Sequence, residues 1–147
     1  MEIEQLIAAA VAKEAAAHDL YAGTAEAADD PALKALLTEL ARDEARHREL
    51  LEGLDATRLG AFAPQAQRDL GIAEYMEERP LSPEAGLQEV MVYALHREQE
   101  ARDFYSRMAA AVGDPAAAAL FKKLATMEAG HKARLEGLYE SMFLRDN

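Results

Sequence analysis

Apolar residues recur at intervals of three and four positions in four long stretches of the chain. Such spacing places each set on one face of a helix, so the pattern predicts four long amphipathic helices. The four stripes are Ile3, Leu6, Ile7, Ala10, Ala17, Tyr21 and Ala25; Leu33, Leu37, Leu40, Leu51 and Leu54; Leu87, Val90, Met91, Ala94, Ala101, Tyr105, Met108 and Val112; and Leu120, Phe121, Leu124, Leu135, Leu138 and Met142.

Capping signals predict where these helices begin. Asp30-Pro31 and Asp114-Pro115 each place a carboxylate before a proline that suits the first helical turn. Ser82-Pro83-Glu84 combines a cap, a proline and an acid in the same way, so the third helix is expected to start there. Residues 55–81 lack a long stripe and contain two glycines and two prolines, with one short amphipathic piece at 66–78.

The two halves of the chain repeat with an offset of 84 positions, residues 1–54 corresponding to 85–138. Two helical hairpins joined by residues 55–81 predict an all-α fold, a four-helix bundle with one long crossover between the second and third helices. A link of about 27 residues reaches about 90 Å when extended, more than the ~40 Å length of such a bundle. We therefore expect one domain spanning residues 1–147.

Six ionisable residues interrupt the apolar stripes at repeated positions. In each half a Glu-x-x-His motif follows a lone Glu by 30 positions: Glu14, Glu44 and His47, then Glu98, Glu128 and His131. With a rise of ~1.5 Å per residue, antiparallel packing puts the three members of each half at one height, and Glu and His three positions apart share a helix face. All six side chains are therefore expected to point into the core.

Four ionised carboxylates in an apolar core would cost more than a domain of this size can offset. They must share protons in a buried polar network or be neutralised by cations. Two divalent ions balance four negative charges, and mixed carboxylate and imidazole ligation suits iron or manganese, with zinc as a competitor. A lone Glu-x-x-His pair is more often a solvent-facing ion pair, but two equivalent copies favour a metal site.

Several neighbours of these six residues have two open interpretations. Tyr21 and Tyr105, two turns beyond Glu14 and Glu98, either donate hydrogen bonds to ligand carboxylates or fill the core. Asp43 either orients the imidazole of His131 or is an ordinary surface acid. His18 is expected at the periphery of the site and His96 on the surface.

Composition narrows the classes of partner. A net charge of −11 argues against nucleic acid and anionic membranes, and the absence of cysteine excludes disulfides, thiolate metal sites and cysteine catalysis. Without a basic leader or an apolar run near ~20 residues, the chain is expected to be cytoplasmic. Extra apolar positions outside the stripes, Val11, Leu20, Val92 and Leu95, predict a homodimer.

The sequence resembles the rubrerythrin-type branch of the ferritin-like superfamily over nearly its whole length. The resemblance rests on Glu14, on Asp43-Glu44-Ala45-Arg46-His47, on Glu98 within residues 96–105, and on Glu128-Ala129-Gly130-His131. It implies two iron ions, with Glu44 and Glu128 as bridging ligands, Glu14 and Glu98 as terminal ligands, and one nitrogen each from His47 and His131. These six residues would take part in catalysis through the metals, with Tyr21, Tyr105 and Asp43 around them.

Two departures from the family bear on the expected chemistry. Classical members carry a rubredoxin module whose cysteines hold iron, so here an external donor is expected, either a rubredoxin-like protein or a small reductant. Classical members also place a further Glu one turn from the third-helix ligand, where this sequence has Ala94, Leu95, Ala101 and Arg102. The expected function is a non-haem di-iron oxidoreductase acting on hydrogen peroxide or dioxygen. The alternatives are a ferroxidase or iron storage or transfer protein, and a metal-stabilised helical binding module.

Overall fold

Long helices make up most of the molecule. The computed structural model describes residues 3–59 and 71–144, and all regular structure within those ranges is helical. The all-α class predicted from the stripes is therefore confirmed. The chain divides into two compact units, Met1–Ala61 and Phe62–Asn147. Among the described helices, none is both long enough and apolar enough to cross a membrane.

The first unit is a helical hairpin. Helix α1 (Ile3–Ala27) packs against α2 (Pro31–Glu52) across a three-residue connection, a typical length for two antiparallel helices. A short helix α3 (Ala56–Leu59) contacts α1 and buries Leu59. Asp55 precedes α3, and hydrogen bonds from the hydroxyl and backbone N–H of Thr57 hold the pKa of its carboxyl below the ordinary value.

The second unit contains an equivalent hairpin with additional elements. Helix α5 (Leu87–Ala111) packs against α6 (Pro115–Tyr139), again across three residues. A short helix α4 (Ile72–Met76) lies before them and contacts α5. Residues Glu140–Leu144 continue α6 as a π-helical segment. Residues 66–70 of the amphipathic piece predicted at 66–78 lie outside the described ranges, and α4 forms the middle of the remainder.

The capping predictions are confirmed at the second helix of each hairpin. The Asp30 carboxylate accepts a hydrogen bond of 2.8 Å from the backbone N–H of Leu33. The Asp114 carboxylate accepts one of 3.0 Å from that of Ala117, 84 positions later. In both helices proline occupies the first turn, where its missing N–H costs nothing.

The predicted start of the third long helix was wrong. Helix α5 begins at Leu87 with an extended Gly86 as its N-cap, five residues after Ser82. Ser82 instead closes a local turn, in which its carbonyl accepts a hydrogen bond from Ala85 and its hydroxyl one from Glu84. Gly86 disfavours helix by about 1 kcal/mol relative to alanine, and the first residue of the apolar stripe is Leu87.

The apolar stripes face the core, and burial follows the internal repeat. Buried residues of α2 are Leu33, Leu36, Leu37, Leu40, Ala41, Glu44, His47 and Leu51, and those of α6 at equivalent positions are Ala117, Phe121, Leu124, Ala125, Glu128, His131 and Leu135. Of the positions expected to cover a dimer interface, Val92 is exposed, while Val11, Leu20 and Leu95 are half-buried.

Candidate metal centre

The first unit contains a buried triad made of Glu14 on α1 and Glu44 and His47 on α2. Their residue exposures are 2%, 1% and 0%. The Nδ1 atom of His47 lies 3.6 Å from Oε2 of Glu14 and 3.4 Å from Oε1 of Glu44. The hairpin turn brings Glu14 opposite the Glu-x-x-His motif, and one helical turn brings Glu44 beside His47.

The second unit contains an equivalent triad, Glu98 on α5 with Glu128 and His131 on α6. Their exposures are 2%, 1% and 3%. The Nδ1 atom of His131 lies 3.6 Å from Oε2 of Glu98 and 3.6 Å from Oε1 of Glu128. The repeat therefore holds at the level of individual donor atoms as well as sequence positions.

The spacing of the donor atoms matches a shared cation better than it matches hydrogen bonds. Good N–H···O hydrogen bonds measure about 2.9–3.0 Å, shorter than the 3.4–3.6 Å found in both triads. Two ligand atoms at about 2.1 Å from one ion and a near-tetrahedral angle lie about 3.4 Å apart. In each triad the three residues offer one ligand atom apiece within 4.8 Å of one another.

The charge and atom types of each triad also fit a divalent cation. Two carboxylates carry two negative charges, and a neutral imidazole adds a nitrogen donor, so one divalent ion balances the charge. In both triads the atom facing the carboxylates is Nδ1. Metal ligation through Nδ1 requires the tautomer that carries its proton on Nε2.

In each triad, buried leucines lie one helical turn before the glutamate and one turn after the histidine of the Glu-x-x-His motif. Leu40 precedes Glu44 by one turn and Leu51 follows His47 by one turn, and both are fully buried. Leu124 and Leu135 occupy the equivalent positions around Glu128 and His131 and are also fully buried. These side chains exclude water from either side of the charged groups, which strengthens any electrostatic interaction there.

The tyrosines that the sequence placed near the site are both buried. Tyr21 is 1% exposed and Tyr105 0%, and both take part in interactions with other groups. Asp43 is half-buried on α2, next to Glu44. Their assignment as groups that support the ligands remains a prediction.

His96 lies on the surface as expected, and the position of His18 at the periphery of the site stays a prediction. His18 is partly exposed, and its Nδ1 lies 3.0 Å from a carboxylate oxygen of Asp19. His96 is exposed on α5. Neither belongs to a group of potential metal ligands among the residues the structure describes.

Aromatic residues around Tyr105 were not singled out from the sequence. The ring of Phe104 lies 5.6 Å from that of Tyr105, and the ring of Phe121 lies 6.2 Å from it, centroid to centroid. The available signal was a break in the repeat, because Leu20 and Leu37 occupy the equivalent positions in the first half.

A comparison with known protein families finds one family that covers both triads. The rubrerythrin family model matches residues 5–139, a range that includes all six residues of the two triads. Comparisons with curated proteins and with solved structures give no match. The ferritin-like, all-α class expected from the sequence is confirmed by the match and the helices together. The chain belongs to the rubrerythrin family.

Proposed function

We propose that this chain is a non-haem di-iron oxidoreductase that reduces hydrogen peroxide or dioxygen. The observation that carries the proposal is the duplicated, buried triad of two glutamates and one histidine with its donor atoms 3.4–3.6 Å apart. Family membership supports iron as the native metal. Manganese and zinc bind the same kinds of donor and are expected to substitute.

In the proposed function each triad would hold one ion. Glu14, Glu44 and His47 would hold the first ion, and Glu98, Glu128 and His131 would hold the second. The support is the equivalence of the triads under the repeat and the burial of all six side chains. Two divalent ions would neutralise the four buried carboxylates and so offset the free-energy cost of burying their charge.

The protein groups around the centre have separate roles. Bound iron would supply the one-electron steps through which peroxide or dioxygen is reduced. The glutamates hold negative charge at the reaction site and can bind through one oxygen or two as that charge changes. The buried leucines, Leu40 and Leu124 among them, keep bulk water away. The 147 residues contain no cysteine to hold a rubredoxin-type iron, so the proposed donor of reducing electrons lies outside this sequence.

One observation favours ferroxidase chemistry, with iron storage or transfer, as a second candidate. Ala94 is buried and Ala101 half-buried, each near Glu98 on α5. Neither offers the additional carboxylate that classical rubrerythrins place one turn from this ligand. A centre limited to six ligands resembles a simple iron-oxidising site more closely than a specialised peroxidase.

Anaerobic titration with Fe²⁺ followed by rapid mixing tests the proposal. We expect two ions per chain and oxidation by peroxide or dioxygen faster than that of free Fe²⁺. A preference for peroxide supports the peroxidase, whereas a preference for dioxygen with release of ferric iron supports the ferroxidase. The Glu44→Gln, Glu128→Gln double variant should lose both ions, and His96→Ala should keep them.

If the bound iron is not oxidised faster than free Fe²⁺, both the proposed oxidoreductase and the ferroxidase are contradicted. Protein that binds two ions but oxidises Fe²⁺ no faster than buffer would instead be a metal-stabilised helical binding module. Unchanged metal content in the double glutamine variant would show that the buried triads are not the ligands.

A further inference from the structure

Four aromatic rings form a continuous chain of contacts in the second unit. Tyr75 on α4 stacks on Phe104 of α5, with centroids 3.8 Å apart and planes within 8°. Phe104 lies 5.6 Å from the neighbouring Tyr105, which lies 6.2 Å from Phe121 of α6. Separations of 4.5–7 Å are normal for packed aromatic pairs, so the Tyr75–Phe104 contact is unusually close.

One end of this chain is buried deeply and the other reaches a surface cleft. Tyr105 is 0% exposed and Phe104 2%. Tyr75, itself buried, lines a small cleft of about 60 Å³ together with charged residues of α4, α5 and the segment between them. The carboxylates among these lining residues are Glu74, Glu100 and Asp103.

The buried end lies on the same helix as Glu98 of the second triad. Tyr105 follows Glu98 by seven residues on α5, which is two helical turns or about 10 Å along the axis. Side chains on a helix tilt toward its N-terminus. This tendency favours a phenol of Tyr105 that lies closer to the level of Glu98 than the backbone of Tyr105 does.

Among the side chains of this protein, tyrosine is the one best suited to pass on single electrons by forming a radical. The sequence contains no tryptophan and no cysteine, and it has five tyrosines. Phenylalanine has no ionisable proton and is far harder to oxidise, but its ring can mediate electron tunnelling between two tyrosines. Tyr75, Phe104 and Tyr105 thus form a donor, a bridge and an acceptor in series.

The first half of the repeat lacks the same residues. Tyr21 is equivalent to Tyr105, but Leu20 stands at the position of Phe104 and Leu37 at that of Phe121. The aromatic pair at 104 and 121 is therefore not a requirement of packing a hairpin of this type. Leucine is therefore a suitable replacement for Phe104 in a test, because the first half of the chain has Leu20 at the equivalent position.

We propose that Tyr75, Phe104 and Tyr105 form an electron-transfer route between the surface cleft and the Glu98–Glu128–His131 triad. Tyr105 gives one electron and its phenol proton toward hydrogen peroxide reacting at the triad. Tyr105 is restored by an electron from Tyr75 through the ring of Phe104 and by a proton from solvent. The Tyr75 proton passes to the carboxylates of the cleft and returns when Tyr75 is reduced. A small one-electron reductant of the ascorbate or phenol class then reduces Tyr75 at the cleft.

The electron count closes over two passages along the route. Each passage delivers one electron to the triad, and two electrons with two protons convert one hydrogen peroxide into two molecules of water. The direction of peroxide reduction rests on the proposed function. The connection between the tyrosines does not, because it can be measured without metal.

Flash photolysis of metal-free protein tests the connection. A bulky ruthenium complex with a sacrificial acceptor generates a one-electron oxidant that stays outside the protein. The starting variant carries Tyr93→Phe and Tyr139→Phe, which removes the two less buried tyrosines. We expect a radical on the buried Tyr105, located by electron paramagnetic resonance and by mass spectrometry of a spin-trap adduct.

Three further substitutions in this background distinguish oxidation of Tyr105 through Tyr75 from direct oxidation of Tyr105 by the ruthenium complex. Tyr75→Phe should abolish the Tyr105 radical, and Phe104→Leu should retain the Tyr75 radical while abolishing that of Tyr105. Tyr21→Phe is the matched control and should leave the Tyr105 radical unchanged. Helical circular dichroism equal to that of the parent checks that each variant is folded.

Two results with the metal-free protein would overturn the route. One is a Tyr105 radical of undiminished yield in Tyr75→Phe, and the other is the absence of any Tyr105 radical in the starting variant. Iron-loaded protein treated with peroxide and a spin trap gives a second readout, an adduct at Tyr75 that Phe104→Leu removes. Adducts at Tyr93 and Tyr139 with none at Tyr75 would also overturn it. Failure to consume both peroxide and dioxygen would defeat the proposed function alone, since the metal-free result stands independently.

Discussion

At the scale of single residues, the polar positions inside apolar stripes carried most of the information. A glutamate on the buried face of a helix is costly, so its presence at Glu14, Glu44, Glu98 and Glu128 predicted a shared purpose before any distance was known. The structure added the donor-atom separations of 3.4–3.6 Å and the orientation of both Nδ1 atoms. Those depend on how neighbouring helices pack, which sequence spacing alone does not determine.

The Glu44→Gln, Glu128→Gln double variant should distinguish the destabilisation caused by buried carboxylates from the stabilisation provided by a bound metal ion. Without metal, removing two buried carboxylates should raise the free energy of unfolding, by on the order of 1 kcal/mol. With metal, the variant should lose the stabilisation that the parent gains. Urea unfolding in chelator and in Mn²⁺ measures both effects.

Glu89→Gln is the matched control, because Glu89 is exposed on α5. It should leave the metal-dependent gain intact. A double variant that is less stable than the parent in chelator would mean that the carboxylates are stabilised by the protein itself.

At the scale of helices and turns, capping residues predicted a helix start correctly where an apolar stripe began directly after them. They predicted it wrongly where the stripe began later. Asp30-Pro31 and Asp114-Pro115 directly precede buried faces, and both start helices. Ser82-Pro83-Glu84 has the same local form, but the stripe begins only at Leu87, and the helix follows the stripe. Under the offset of 84, Leu87 is equivalent to Ile3, which is the first residue of the first stripe.

Removal of either capping carboxylate should weaken its helix. Asp30→Ala and Asp114→Ala each leave one N–H of the first turn without its capping acceptor, which typically costs about 1 kcal/mol. Chemical denaturation of each single variant measures the loss. Asp29→Ala, one position before the cap and exposed, should change stability by less than ~0.5 kcal/mol; equal losses at 29 and 30 would refute the capping role.

Two glycines should respond to alanine with opposite signs. Gly71 has φ +66°, and a Cβ there would meet the guanidinium of Arg107, so Gly71→Ala should destabilise by about 1–2 kcal/mol. Gly23 lies in α1 with open space around it, so Gly23→Ala should stabilise by about 0.5–1 kcal/mol. Thermal unfolding of both variants distinguishes them, and stabilisation at position 71 would show that its backbone conformation is not required.

At the scale of the whole molecule, two units with equivalent triads give a protein whose stability is expected to depend on metal. Its net charge of −11 attracts cations to the surface, and the triads offer carboxylate and imidazole groups that could hold a metal ion. The homodimer, the oxidant and the electron donor remain predictions.

Chelation should therefore lower the stability of the intact protein. At a free metal concentration 100 times the dissociation constant, each bound ion adds about 2.7 kcal/mol to the free energy of unfolding. Calorimetry before and after dialysis against a chelator should show a large fall in Tm that added metal restores. An unchanged Tm would mean that the buried carboxylates need no ion.

The sequence by itself determined the helices, the hairpin turns, the repeat and the identity of the six candidate ligands. These follow from periodicity and from the cost of burying charge, both of which are local properties of the chain. Only the tertiary structure decided the docking of α4 on α5 and the stacking of Tyr75 on Phe104. Those features join segments far apart in sequence, and which surfaces meet is settled by packing, for which a single chain carries no local signal.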